Sequence, residues 1–311
     1  MAILVAADFS AGEWAAWWPA LTAALPGEQL LRDVNEAQRQ SVDVALVANP
    51  PVGALQGLPQ LRFIQSLWAG IDRLLLDSSV PAEAPLARMV DPSMNTAMAE
   101  TALWAVIGLH RHVFRYAAQQ RAAQWHQHAQ QRADEVSVVM LGLGQMGRAA
   151  AQAIARQGYR VSGWSTRPAV VDGVHTASGE AALATLLAGA HIVINLLPLT
   201  PATRGLFNAK TLAQMRPGAS LVNLARGAHV VDADLIAALD RGHLAHAVLD
   251  VFATEPLSAD HPFWRHAKVT VLPHVAAQTD PRSAALIAAA NVRAFRAGAA
   301  PVNLVDRRRG Y

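Results

Sequence analysis

Three polar residues stand where apolar stretches run out, and their types suit one kind of chemistry. Arg226 closes the run in VNLARG, Glu255 lies in LDVFATEP a few residues past Asp250, and His274 follows another run in VLPHVAAQT. A guanidinium can clamp a carboxylate through paired N–H donors and polarise the carbonyl beside it. A histidine bonded to a carboxylate through one ring nitrogen favours its imidazolium form and can donate a proton from the other. Each of the three taken alone reads as an ordinary loop residue. Together, with a hydride source, they read as a site that reduces the carbonyl of an anionic substrate.

The hydride source has its own signature. LGLGQMG follows the apolar run of VSVVMLGLGQMG (136–147) and leads into RAAAQAIARQG, a strong helix pattern that ends at Gly158. In that setting Gly142 permits a tight turn, Gly144 lets backbone approach a pyrophosphate, and Gly147 lets helix and strand pack closely. The amides at the helix start, where Gln145 and Met146 stand, then face the phosphates. Methyltransferases share such glycine turns, so the pattern alone does not fix the ligand. The residue that reads the ribose is expected about 20 positions on, usually as an acid. Ser165 lies 18 residues past Gly147, in GWSTRP, and no acid is there. The hydroxyls of Ser165 and Thr166 with the Arg167 guanidinium would suit a 2′-phosphate, so NADP is expected over NAD, which stays possible as the weaker cofactor. A solvated loop with an incidental arginine is the plainer alternative.

Elements that could hold these residues alternate along the chain. Strand patterns read AILVAA (2–7), VDVALVA (42–48), LRFIQSL (61–67), YRVSGW, HIVINLL (191–197), SLVNLA (220–225), AHAVLDVF (245–252) and VTVLP (269–273). Near-continuous apolar strands separated by helices imply α/β architecture with parallel sheets covered on both faces. In such sheets ligands bind beyond the carboxyl ends of the strands, so Arg226, Glu255 and His274 can converge. Trp14, Trp17 and Trp18 fall on one face of an early helix and read as core or interface. One long helix is expected from about Asn95 to His128, with Pro92 ahead of its start. The final helix pattern, 279–298, is expected to return to the first domain, giving a discontinuous domain 1–98 with 275–311 and an inserted dinucleotide-binding domain 99–274.

The composition fits this reading. A chain of 311 residues with 52% hydrophobic and 16% charged residues has material for two globular cores. The net charge is +3, and its arginines are scattered apart from 307–309, which argues against a nucleic-acid face. There is no cysteine, which excludes disulfides and a thiolate nucleophile. No run reaches the roughly 20 apolar residues of a membrane span. MAILVAADFS reads as a strand rather than a signal peptide, so a cytoplasmic location is expected. His126 with His128, or His243 with His246, lack a carboxylate at ligand spacing, and no metal is expected.

LGLGQMG, LVNLARGAHVVDADLIAAL, LDVFATEP and VLPHVAA resemble the signatures of the D-isomer-specific 2-hydroxyacid dehydrogenases. NLLPLTPATRGLFN and VDRRRGY are more narrowly similar to the members that reduce glyoxylate and hydroxypyruvate. The resemblance implies a Rossmann cofactor domain inserted into a flavodoxin-like substrate domain, both doubly wound. It implies Arg226, Glu255 and His274 as the catalytic trio, and Asp250 as a partner of the nicotinamide carboxamide. Leu197, Pro198, Thr203 and Ala225 would lie against the cofactor. SLWAGID (66–72) matches the substrate loop, where Trp68 lines the site and the amides of Ala69 and Gly70 bind the substrate carboxylate along with Arg226 and His274. A homodimer formed through the cofactor domain, with residues 104–128 contributing, is also implied. The expected activity is NADPH-dependent reduction of short 2-oxo acids, glyoxylate to glycolate and hydroxypyruvate to D-glycerate. Two positions depart from the pattern. Ala48 stands where many of these reductases carry tryptophan, which would admit a larger 2-oxo acid, and the ribose loop offers Arg167 where two basic residues are usual. A non-catalytic NADP-sensing protein on the same fold is the alternative of another class.

Overall fold

The computed structural model divides the chain into two compact units, Met1–Ser93 with Thr279–Tyr311, and Met94–Gln278. It describes residues 1–310; Tyr311, the last residue of VDRRRGY, lies outside them. The discontinuous unit holds strands β1 (Ala2–Ala7), β2 (Leu30–Leu31), β3 (Val42–Ala48), β4 (Phe63–Ser66) and β5 (Leu86–Ala87). All pair in parallel in the order β2-β1-β3-β4-β5. That order is the flavodoxin-like form of a doubly wound sheet. Helices α1 (Ala11–Ala24), α2 (Glu36–Arg39) and α3 (Asp72–Leu76) connect the strands. A capping box starts α1, because the Ser10 hydroxyl accepts from the Glu13 amide while the Glu13 carboxylate accepts from Ser10.

The continuous unit begins with most of α4 (Pro92–His110), followed by α5 (Val113–Arg121). Its strands are β6 (Ser137–Leu141), β7 (Arg160–Ser165), β8 (His175–Ser178), β9 (Ile192–Asn195), β10 (Ala219–Asn223), β11 (Leu244–Leu249) and β12 (Val269–Val271). Between them run α6 (Gln145–Ala155), α7 (Glu180–Gly189), α8 (Ala209–Gln214) and α9 (Asp232–Asp240). The sheet order is β12-β11-β10-β9-β6-β7-β8, with every pairing parallel. Strand order reverses between β6 and β9, the switch point of a Rossmann sheet. Alternation along the strands fills two cores. Val138, Met140, Ile192 and Ile194 face one, and Val139, Leu141, Val193 and Leu221 face the other. Both faces are therefore buried, which is why the strands read as unbroken apolar runs.

The last helix, α10 (Pro281–Arg296), belongs to the discontinuous unit and packs on α1 and β4. Arg296 ties it down by pairing with Glu28 and with the buried Asp43.

Two expectations about elements are corrected. The single helix from Asn95 to His128 is two helices, α4 and α5, and no helix covers 122–132. Pro92 is the first residue of α4, where its missing N–H costs nothing, rather than a residue ahead of it. The break falls at His112, in the left-handed region with φ 59°. There the chain folds back and sets the Phe114 ring edge-on to Trp104, with centroids 5.5 Å apart. Gly108 admits this closure, since a Cβ on it would stand 2.8 Å from the Phe114 ring. Strands β2, β5 and β8 escaped the sequence reading because two are two-residue pairs and HTAS of β8 is partly exposed and polar.

Candidate active site

His274 and Glu255 meet at the carboxyl ends of β11 and β12. The Glu255 Oε2 lies 2.7 Å from His274 Nδ1, and its Oε1 accepts from the Phe252 amide at 2.9 Å. With both oxygens engaged, the carboxylate holds the ring by Nδ1, and Nε2 is left as the proton-bearing edge. The Glu255 bond is the largest influence on His274 and raises its pKa above the ordinary imidazole value, against burial and the Arg226 charge. Burial works to raise the Glu255 pKa. The His274 hydrogen bond, the Phe252 amide and the His274 and Arg226 charges outweigh it and hold the carboxyl below its ordinary value.

Asp250 lies beneath this pair, 1% exposed. Its Oδ1 accepts from Val275 N at 2.7 Å and its Oδ2 from Ala276 N at 3.0 Å. The Asp250 carbonyl also accepts from the His274 amide at 2.8 Å. His274 itself has φ 55°. A left-handed non-glycine residue costs about 1–2 kcal/mol, and two charge-assisted hydrogen bonds of about 1.5–3 kcal/mol each offset it. The sequence resemblance pairs Asp250 with the nicotinamide; in the structure its carboxylate clamps the turn that presents His274. Burial raises the Asp250 pKa, with the two amides acting the other way.

Arg226 follows β10 as the residue before a short 3-10 turn, Gly227–His229. It is partly exposed, and its Nη1 donates to the Ala225 carbonyl at 2.7 Å. A Cβ on Gly227 would overlap the Phe252 backbone, so glycine is what lets the Arg226 turn lie against the chain leading to Glu255. The Arg226 charge works to lower the pKa of both Glu255 and His274.

The glycine turn fits a dinucleotide. Gly142 has φ 97°, and a Cβ on it would stand 2.5 Å from the Leu196 carbonyl oxygen. On Gly147 a Cβ would overlap the Gly142 carbonyl, while on Gly144 it would meet nothing within 4 Å. The first and third glycines are thus required by packing, and the second leaves open space at the start of α6. Gln145 and Met146 open that helix, whose first amides have no partner within it. Ser165 ends β7 and its hydroxyl donates to the Arg167 carbonyl at 2.6 Å, while Thr166 and Arg167 are exposed. Thr166 and Arg167 thus face solvent at the end of β7.

Other expected cofactor positions have local tasks. Leu197 and Ala225 are buried at the ends of β9 and β10. The Thr203 hydroxyl, also buried, donates to the Pro198 carbonyl at 2.7 Å and accepts from Thr200 N at 2.8 Å, stapling that loop. Trp68, Ala69 and Gly70 belong to the discontinuous unit, in the turn after β4. There the Ser66 hydroxyl donates to the Trp68 carbonyl at 2.9 Å and accepts from its amide at 3.1 Å. The Trp68 ring sits edge-on to Phe9 and to the buried Trp17, at 5.8 and 5.6 Å. Ala48 is buried at the end of β3.

Sequence reading missed four polar residues. Arg148 braces the glycine turn by donating to the Leu143 carbonyl at 2.9 Å and to Val170 at 2.6 Å. Asn195, Asn223 and His229 are fully buried beneath the strand ends. The two asparagines interrupt the apolar runs HIVINLL and SLVNLA, and that interruption was the available signal. Among the described residues no group of three or more His, Cys, Asp or Glu could hold a metal ion. His246 is stacked on Phe114 and bonded to Thr270, and burial lowers its pKa to about 4. None of the described helices is long and apolar enough to cross a membrane.

A Rossmann sheet that carries a glycine turn and a carboxylate-held histidine at its strand ends defines a class of nicotinamide-dependent dehydrogenase. The family profile described as D-isomer specific 2-hydroxyacid dehydrogenase, NAD binding domain, matches residues 103–276. The chain belongs to this family. It is 40% identical over 308 residues to glyoxylate/hydroxypyruvate reductase A of Serratia proteamaculans, covering 97% of each chain. Among solved structures, a D-isomer specific 2-hydroxyacid dehydrogenase from Xanthobacter autotrophicus in complex with NADPH and MES aligns with a TM-score of 0.93. Its identity is 40%, with 100% of this chain and 99% of that one covered. An NADPH-dependent glyoxylate/hydroxypyruvate reductase from Sinorhizobium meliloti, in complex with NADP and sulfate, aligns at 0.92 with 32% identity and 99% of both chains.

Proposed function

We propose that this chain is an NADPH-preferring reductase of short 2-oxo acids, with glyoxylate and hydroxypyruvate as its substrates. The observation that carries the reading is the 2.7 Å bond between Glu255 and His274 Nδ1, which makes the other ring edge a proton donor beside the Arg226 charge. When bound, NADPH supplies the hydride that reaches the carbonyl carbon. Its pyrophosphate would lie at Gly142, Gly144 and the amides of Gln145, Met146 and Gly147. Its 2′-phosphate would meet Ser165, Thr166 and Arg167, and the loops bearing Leu197, Pro198, Thr203 and Ala225 would flank it. Arg226 binds the substrate carboxylate and polarises the adjacent carbonyl. His274 passes its Nε2 proton to the carbonyl oxygen as the alcohol forms, and Glu255 stabilises the imidazolium beforehand. The sequence resemblance assigns the amides of Ala69 and Gly70, with Trp68, to substrate binding.

The names of the relatives support the same substrates, and the structures solved with NADPH and NADP support the same cofactor. A homodimer is part of this reading. Trp104, Ile107, Val113 and Trp125 expose apolar surface on the segment the resemblance assigns to pairing, Trp125 at 96%. A cytoplasmic location accords with a cysteine-free chain that draws on NADPH. The test is a panel of 2-oxo acids from glyoxylate to larger homologues, assayed with NADPH and NADH side by side. Turnover of the shortest acids with NADPH favoured is the expected result. Purified protein that oxidises NADPH with none of them, while still binding it, would favour an NADP-sensing role.

A further inference from the structure

A closed polar network lies under the strand ends, outside the acid–base pair. Asn195, Asn223 and His229 are each 0% exposed. Asn195 Oδ1 accepts from the Leu197 amide at 3.2 Å, and its Nδ2 donates to Asn223 Oδ1 at 2.9 Å. The same Nδ2 lies 2.9 Å from His229 Nδ1, and Asn223 Nδ2 donates to the Arg226 carbonyl at 3.0 Å. His229 Nε2 lies 3.3 Å from the Pro198 carbonyl and Nδ1 3.1 Å from the Arg226 carbonyl, which also accepts from the His229 amide at 3.2 Å. Matching donors to acceptors sets the imidazole. An amide nitrogen can only donate, and Asn195 Nδ2 is a nearer partner of Nδ1 than the Arg226 carbonyl is, so Nε2 carries the hydrogen, toward Pro198. Asn195 Nδ2 spends its hydrogens on Asn223 and His229, so Nδ1 accepts.

We propose that His229 is a positioning residue that ties the Leu197–Pro198 turn to the backbone of Arg226. The inference rests on the functional reading above, because it couples a loop assigned to the cofactor with the residue assigned to the substrate carboxylate. Apolar side chains would fill this space without the desolvation that buried amides and an imidazole carry. What the polar set adds is direction. Each bond fixes one strand end relative to the next, and removing one member leaves its partner desolvated and unpaired. The two ring nitrogens serve the two sides separately, Nε2 toward Pro198 and Nδ1 toward Asn195 and the Arg226 carbonyl.

That division gives a test a merely structural residue would not pass. An asparagine amide reaches about as far as Nδ1, and a glutamine amide about as far as Nε2. His229→Asn therefore keeps the Asn195 contact and loses Pro198, whereas His229→Gln keeps Pro198 and loses Asn195. In steady-state assays, His229→Asn is expected to raise the NADPH KM by roughly three- to tenfold while that for hydroxypyruvate stays within about twofold. His229→Gln is expected to show the reverse. If a His229 variant fails to fold, Thr203→Val and Asn223→Ala cut the Pro198 and Arg226 contacts from the opposite side and carry the same split. Equal movement of both constants in both variants, or movement of neither, overturns the proposal. A wild-type chain that turns over no 2-oxo acid instead fails the functional reading. The split is then measured as dissociation constants for NADPH and for oxalate, an unreactive dicarboxylate, by tryptophan fluorescence, with the same two outcomes.

Discussion

The two halves of the cofactor sheet treat their strand ends differently. At β10–β12 the residues are locked. Asp250 spends both oxygens on Val275 and Ala276, Glu255 spends both on Phe252 and His274, and His274 is held in a left-handed turn. At β6–β7 the glycine turn is fixed by packing, but Thr166 and Arg167 stand exposed beyond a single bond from Ser165. Proton transfer demands a ring set to hydrogen-bond accuracy before the substrate arrives. Recognition of a phosphate demands only that a cation and a few donors come within reach of a dianion. The locked end should therefore govern rate, and the exposed end cofactor choice.

The contrast can be broken by substitution, and the largest effect belongs to the locked end. Arg226→Ala is expected to lower kcat/KM for a 2-oxo acid by about 10²–10³, the scale of losing one preorganised electrostatic group. NADPH affinity, read by fluorescence titration, should stay within about twofold. A comparable loss of NADPH affinity would merge the two ends and end the distinction. Glu255→Gln acts on the same end through charge. Reduction needs His274 as imidazolium, so it is supported below the His274 pKa and lost as pH rises through it. Glu255 holds that pKa above 6.5, so the alkaline limb of kcat/KM should move to lower pH in the variant. An unmoved limb would mean that another group donates the proton. The smallest effect belongs to the exposed end. Arg167→Ala should raise the NADPH KM by roughly three- to tenfold and leave that for NADH nearly unchanged, with kcat preserved. If both cofactors weaken alike, Arg167 is a surface residue and selectivity lies elsewhere.

Much of this arrangement was legible in the sequence because it depends on patterns of short range. The apolar runs of β1, β3, β6 and β9–β11 show where buried parallel strands lie, and LGLGQMG marks the turn that only glycine can make. Arg226, Glu255 and His274 were legible as residues that end strands. Their mutual distances were not, since nothing local in VLPHVAAQT says which oxygen reaches His274 Nδ1. The break at His112 was hidden for the same reason. Helix propensity runs on through 111–121, and the turn exists because Phe114 packs on Gly108 and Trp104, a contact made by the fold. The Asn195–Asn223–His229 network likewise needs the strand order β10-β9 to bring two asparagines side by side.

The proposed chemistry depends most directly on His274 as the proton donor. Single-turnover oxidation of NADPH with hydroxypyruvate should be slowed by about 10²–10⁴ in His274→Ala, the usual contribution of a positioned acid, while NADPH binding stays within about twofold of the wild type. Turnover at the wild-type rate in that variant would contradict the account.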